Sequence, residues 1–212
     1  MTSKPAETSR RRAEILPETV DELATRRKTA RKFTRTPVNS DDIFYCIKVA
    51  IQAPSGANRQ PWCFLIIDDP KLRKKLRTAC EEQEKSFHGS AEDSLKQWFK
   101  SKNITWRKPH LTDAPMLLAV FSNQEMPYGT ESTWLSIGYF TIALEERYLS
   151  TVTYTPPYPE DLKGLFNAPE GYQLETILPI GYSADAKPKE KRKSIGSFIY
   201  RNAWSRTTET IA

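Results

Sequence analysis

Histidine is almost missing from this chain: there are two, His88 and His110, in 212 residues. With so few, and no cluster of His, Cys and Asp at ligand spacing, a protein-built metal site is not expected. Cysteine is nearly as sparse. Cys46, Cys63 and Cys80 are odd in number and form no CxxC pair, which excludes a disulfide framework and implies reduced, buried thiols in a cytoplasmic protein. No apolar run is long enough to cross a membrane. Behind Arg10-Arg11-Arg12 there is no apolar stretch of the kind a secretory signal carries. There is no GxSxG elbow, no P-loop and no nucleophile with a histidine nearby, so autonomous hydrolysis is excluded. Internal repeats and low-complexity tracts are absent too.

What remains reads as a disordered or arm-like lead-in over residues 1–16 and one domain over 17–212, long enough to bury a core. The net charge of +6 is spread among many acidic neighbours. That suits a solvated surface and an anionic cofactor better than a nucleic-acid partner.

Thr19 to Arg31 reads as a helix, with Pro17 near its start and Leu23 and Ala24 on its inner face. Pro37-Val38 breaks the chain, and Asn39 or Ser40 can cap a second helix over Asp41–Gln52, where Ile43, Ile47, Ala50 and Ile51 recur at helical spacing. Cys63–Ile67 reads as a strand. Asp69-Pro70 opens a further helix that turns Leu72, Leu76 and Ala79 inward. From Glu81 to Lys108 the chain is charged and aromatic by turns, interrupted at Gly89-Ser90. That composition suits a mobile cover over a site, a lid spanning residues 81–110, with a surface helical excursion as the alternative. Ala114–Phe121 is nearly all apolar and reads as a buried strand. Thr133–Leu149 is a helix apolar most of the way round, needing cover on several sides. A β-branched strand over Ser150–Thr155 stops at Pro156-Pro157. A short helix, Glu160–Phe166, and a last strand, Glu175–Gly181, precede a basic arm over 187–212 carrying Phe198, Ile199, Tyr200 and Trp204.

Two stretches carry chemistry. In Ala53-Pro54-Ser55-Gly56-Ala57-Asn58-Arg59-Gln60-Pro61-Trp62 a Pro-Ser-Gly turn joins a helix to a strand, and Gly56 lets the main chain approach a flat or anionic ligand. Alone, the same residues also read as a plain connection. In Arg27-Lys28-Thr29-Ala30-Arg31-Lys32-Phe33 the two arginines stand four apart, hence on one helical face. There they can grip a phosphate with two guanidiniums while Thr29 adds a hydroxyl. A solvated basic helix end is the alternative.

Together with Asp113-Ala114-Pro115, these stretches resemble the FMN-dependent nitroreductase family over roughly residues 18–204. Within it the chain looks most like the iodotyrosine deiodinase branch. Thr151-Val152-Thr153-Tyr154-Thr155-Pro156 resembles that branch's threonine-rich strand, Lys108 its lid lysine, and Lys191-Arg192-Lys193 its C-terminal phosphate clamp. The resemblance implies an α+β fold, a three-layer α/β/α sandwich with a central, mostly antiparallel sheet, assembled as an intertwined homodimer. It implies FMN held by Arg27, Lys28, Thr29, Arg31, Pro54, Ser55, Gly56, Thr153, Tyr154, Thr155 and Arg192. Thr155 would serve flavin N5, and the Ala57 amide would meet a substrate phenolate. The branch's lid binds a zwitterion through a glutamate, a tyrosine four residues later and a lysine. Here Lys108 takes the lysine's place. Glu84 and His88 take the other two, or Gln83 and Phe87 if a one-residue gap falls the other way; an ammonium needs an anion, which favours Glu84. Neither alignment supplies the tyrosine. The implied activity is reductive dehalogenation of a halotyrosine-like phenol, reloaded by NAD(P)H or a reductase or flavodoxin-type donor, with no membrane or nucleic acid involved. A broad nitro- or quinone reductase using nicotinamide is the alternative.

Overall fold

A computed structural model describes residues 18–204. The expected lead-in over 1–16 and the end of the arm beyond Trp204 lie outside the described residues. Helix α1 (Val20–Arg26) opens with a reciprocal cap: the Thr19 side chain accepts the Glu22 N–H, and the Glu22 carboxylate accepts the Thr19 N–H at 2.7 Å. The sequence predicts a helix to Arg31, and the structure corrects this to an end at Arg26. The Ala30 N–H donates to the Thr151 carbonyl at 3.0 Å and Thr29 bridges Thr151 in parallel, so tertiary hydrogen bonding pulls this segment out straight. Arg27 and Arg31 therefore do not share a helical face.

Asn39 caps α2 (Ser40–Ala50) by accepting the Asp41 N–H at 3.0 Å. Its residues Ile43, Cys46 and Ala50 are buried at three- and four-residue spacing, as an amphipathic helix requires. Four strands follow in the order β1 (Trp62–Ile67), β2 (Met116–Asn123), β4 (Tyr172–Gly181), β3 (Ser150–Thr151), and every ladder is antiparallel. Strand β2 is central, with Trp62 opposite Ser122 on one side and Met116 opposite Ile180 on the other.

Because strand side chains alternate, β2 feeds two cores. Leu117, Ala119 and Phe121 join Leu76 and Cys80 of α3 (Pro70–Ser90) on one face. Met116, Leu118 and Val120 join α2 and Ile137, Phe140 and Leu144 of α6 (Gly129–Glu146) on the other. The result is the three-layer sandwich, helices on both sides of an antiparallel sheet.

Asp69 caps α3 through the Lys71 and Leu72 N–H groups, and the helix then runs 21 residues without a break at Glu81. The segment expected to begin a separate cover is thus the second half of a long helix. Helix α4 (Asp93–Ser101) and the single turn α5 (His110–Asp113) follow it. Helix α6 starts four residues before the expected Thr133. Its first residue must be glycine, since a Cβ on Gly129 would lie 2.4 Å from the Asn123 carbonyl oxygen.

Two more expectations change. The strand predicted over Ser150–Thr155 has two laddered residues. Tyr154 alone rejoins the sheet, exchanging both main-chain hydrogen bonds with Ile177, before Pro156 and Pro157, which lack N–H groups. Cys63 is exposed rather than buried, because it sits near the start of an edge strand. A short helix α7 (Lys163–Phe166) leads into β4. Among the described residues no helix is long and apolar enough to cross a membrane.

Candidate active site

The straightened segment after α1 and the basic arm together line a cavity of about 250 Å³, formed by Arg27, Lys28, Thr29, Arg31, Lys187, Pro188, Lys189, Glu190 and Arg192. Six of these carry positive charge against the single carboxylate of Glu190. The pieces are pinned to one another. Lys28 Nζ donates to the carbonyls of Asp185 (2.6 Å) and Lys187 (3.0 Å), and Lys189 Nζ to those of Ala24 (2.6 Å) and Thr25 (2.9 Å). The Asp185 carboxylate accepts the Arg31 N–H at 3.0 Å. Burial pushes that carboxyl up, but the N–H groups of Arg31 and Lys187 outweigh it and hold it below the usual carboxylate range. So large an excess of cations around one concavity fits a phosphate. Arg27, Lys28, Thr29, Arg31 and Arg192 are brought together around the cavity, by an extended segment and the arm rather than by one helical face. Lys187 and Lys189 had no signal in the sequence beyond belonging to a basic tail.

The parallel bridge from Thr29 to Thr151 ties this cavity to the Thr153–Thr155 segment. There Thr153 and Thr155 are exposed and Tyr154 is buried, so its side chain leaves the face that carries the threonines. The Thr155 hydroxyl donates to the Glu175 carbonyl at 3.3 Å. The Glu175 carboxylate in turn accepts from Ser122 Oγ (2.5 Å), Thr130 Oγ1 (2.8 Å) and Trp134 Nε1 (2.8 Å).

The Pro-Ser-Gly turn lies elsewhere on the surface of the chain, against the segment before α6. A Cβ on Gly56 would meet Tyr128 Cδ2 at 2.8 Å and the Pro127 carbonyl at 3.1 Å, so only glycine allows this approach. The Gly56 N–H donates to Ser132 Oγ at 3.2 Å, and Ser55 Oγ accepts the Gln60 N–H at 3.0 Å. Ala57, Asn58 and Gln60 all have φ near +50°, a conformation costly for residues with side chains. Ala57 is exposed. None of Pro54, Ser55, Gly56 or Ala57 lines the basic cavity.

A third group sits where the second half of α3 meets the end of the α4 excursion. Lys108 Nζ and Glu84 Oε2 form an ion pair of 2.8 Å, with the two residues 8% and 7% exposed. His88 Nε2 is 3.4 Å from the same oxygen, and its ring stacks on Phe99 of α4 at 4.2 Å. Gln83 instead points away, bonding the Tyr158 main chain through both ends of its amide (2.8 and 3.3 Å). Glu84 and His88 are therefore the pair that faces Lys108. The Lys108 N–H donates to Glu81 at 2.8 Å, and Glu81 also pairs with Arg77 at 2.8 Å. Burial raises the Glu81 carboxyl, yet these two partners outweigh it and hold it below its ordinary value.

Sequence reasoning did not find Glu81, although it lies one helical turn before Glu84; Tyr154, named from the resemblance as an FMN-holding residue, buries its side chain beside this group, with Lys108 Nζ 5.8 Å from its ring centroid. A larger cavity of about 440 Å³ beside α3 is lined by Arg73, Lys74, Arg77 and Thr112. Its guanidiniums are already engaged, Arg73 with the carbonyls of Thr112 and Ala114 and Arg77 with Glu81 and Thr112, so it reads as structural.

The nitroreductase family model matches residues 24–182. An iodotyrosine deiodinase of Thermotoga neapolitana is 47% identical over 174 residues, which is 82% of this chain and 94% of that protein. One of Haliscomenobacter hydrossis is 30% identical over 170 residues, covering 75% of this chain and 77% of the other. Among solved structures, an oxidized iodotyrosine deiodinase bound to FMN and 3-iodo-L-tyrosine superposes with a TM-score of 0.82 at 45% identity, covering 87% of this chain and 99% of that one.

Proposed function

Because the chain belongs to the nitroreductase family, we propose that it is an FMN-dependent oxidoreductase that removes halogen reductively from a halotyrosine. The observation that carries this reading is the buried ion pair of Glu84 and Lys108. Burying two charges costs desolvation that their attraction barely returns, so such a pair is a poor device for stability. It is a good device for a zwitterion. Lys108 can pass to the substrate carboxylate and Glu84 to the ammonium, leaving four charges paired in place of two.

The basic cavity would hold the phosphate of FMN, with Arg27, Lys28, Thr29, Arg31 and Arg192 as its donors. Thr153 and Thr155 would present their exposed side to the ring, and the Thr155 hydroxyl, which donates to the Glu175 carbonyl at 3.3 Å, would turn to serve N5. When bound, FMN supplies two electrons which, with one proton, turn a carbon–iodine bond into carbon–hydrogen and release iodide. The exposed Ala57 amide stabilises the substrate phenolate, and α4, stacked on His88 through Phe99, keeps water from the clamp.

Pro54, Ser55, Gly56 and Ala57 belong to this site through a second copy. They stand apart from the basic cavity within one chain, and the exposed apolar residues of α6 supply a surface for a homodimer. The reductant is NAD(P)H or a reductase or flavodoxin-type protein. The free, buried thiols of Cys46 and Cys80 suit a cytoplasmic setting.

The test compares two substrates, iodotyrosine and an iodophenol that lacks the amino-acid part. Lys108→Ala and Glu84→Ala are expected to raise KM for iodotyrosine about 10- to 100-fold, with a much smaller change for the iodophenol and flavin still bound. Equal losses on both substrates refute the clamp. Rapid turnover of nitroaromatics or quinones with no response to iodotyrosine favours the broad reductase.

A further inference from the structure

We infer that Tyr154 is a positioning residue of the clamp: its hydroxyl holds Glu84 when Lys108 leaves that carboxylate for a substrate carboxylate. The inference rests on the reading of Glu84 and Lys108 as a zwitterion clamp and names a residue that reading does not contain.

Tyr154 interrupts a row of exposed threonines with a side chain that is buried, the residue being 7% exposed. Its ring meets His110 edge-on at 5.7 Å, and the Lys108 ammonium lies 5.8 Å from its centroid. Its hydroxyl is buried with no hydrogen-bond partner among the described residues, and Glu84 and Cys80 are the groups that act on it besides burial. A buried hydroxyl without a partner is costly, and one beside a carboxylate is a donor waiting for its acceptor.

Glu84 has the complementary problem. Both of its contacts, from Lys108 and from His88, fall on the single oxygen Oε2. Transfer of Lys108 to a substrate replaces the shorter of them with the substrate ammonium, and the other oxygen, Oε1, still needs a donor to hold the carboxylate in place. Tyr154 borders the same ion pair, with the Lys108 ammonium 5.8 Å from its ring centroid, and its main chain is anchored by the paired bonds to Ile177 and by Thr176 Oγ1 donating to its carbonyl at 3.1 Å. Burial also raises the pKa of the phenol, followed by the effects of Cys80 and Glu84, so it remains a donor at any working pH. The other candidate acceptor, Cys80, is a thiol pushed up to about 12 by burial, and a neutral thiol accepts weakly. The carboxylate is the better partner.

Tyr154→Phe removes the hydroxyl and keeps the ring against His110. It is expected to lower kcat/KM for iodotyrosine about tenfold more than for the iodophenol, through KM, with flavin content retained. Equal change on both substrates, or none, overturns the inference. Lys108→Ala measured in parallel separates the two levels. If it discriminates between the substrates and Tyr154→Phe does not, the role of Tyr154 falls alone. If neither discriminates, the clamp itself falls with it.

Discussion

Burial and cationic neighbours keep the His110 ring neutral. It is 6% exposed, its Nε2 has no hydrogen-bond partner among the described residues, and burial first, then Lys108, Arg31 and Arg77, lower its pKa to about 4 from an ordinary 6.5; Glu81 opposes them weakly. In the unfolded chain the ring takes up a proton as pH falls below 6.5, while in the folded chain it does so only near 4. The folded state therefore loses stability as pH drops through that window and keeps it in full above 6.5. Between pH 7 and pH 5 the loss is about 2 kcal/mol. The lowered carboxyls of Glu81 and Asp185 act in a separate window, below the usual carboxylate range, and do not blur it. Urea unfolding at pH 7 and pH 5 is the measurement. The parent protein should lose this increment and His110→Phe should not; equal losses would show that another group titrates.

At the scale of elements, Glu175 holds three of them together. Its carboxylate joins β4 to Ser122 of β2 and to Thr130 and Trp134 of α6, while its carbonyl takes the Thr155 hydroxyl. Glu175→Ala strands three donors around a buried site and is expected to cost about 2–4 kcal/mol in stability. Thermal melting reads this, and a loss below 0.5 kcal/mol would mean that water replaces the carboxylate. Nothing in the sequence marks this glutamate, because its partners come from three distant segments. The same limit runs through the fold. Helix α2 and strands β1 and β2 were legible from apolar period and caps, since those signals are local. Where α1 ends was not, because the Ala30 to Thr151 hydrogen bond that ends it spans more than a hundred residues of chain. The basic cavity was legible as a set of residues but not as an extended segment in place of a helical face. That Glu84 rather than Gln83 faces Lys108 was legible only down to a one-residue ambiguity, and the two side chains leave α3 in opposite directions. The inward direction of the Tyr154 side chain was not legible, because a threonine-rich strand gives no sign of which way its one aromatic residue points.

At the scale of the molecule, the described residues leave a large apolar surface without cover among themselves. On α6, Trp134, Leu135 and Tyr139 are 37%, 50% and 44% exposed, although the opposite side of the same helix is fully buried. Phe44 and Ile51, on and just after α2, are exposed as well, and Ile195, Phe198, Ile199 and Trp204 of the arm project outward. A monomer rarely carries that many exposed large apolar side chains, and the homodimer proposed above would cover them and supply the Pro-Ser-Gly turn that the basic cavity lacks. Affinity for FMN and association are then one equilibrium. Leu135→Glu with Tyr139→Glu places two carboxylates per chain in that contact, four in the pair. The double variant is expected to sediment as a single chain and to lose flavin on dilution, while the far-ultraviolet circular dichroism of its helices is kept. A variant that dissociates yet holds FMN as tightly as the parent would show that one chain builds the whole cofactor site, and the assignment of Pro54, Ser55 and Gly56 to the partner's cavity would then be wrong.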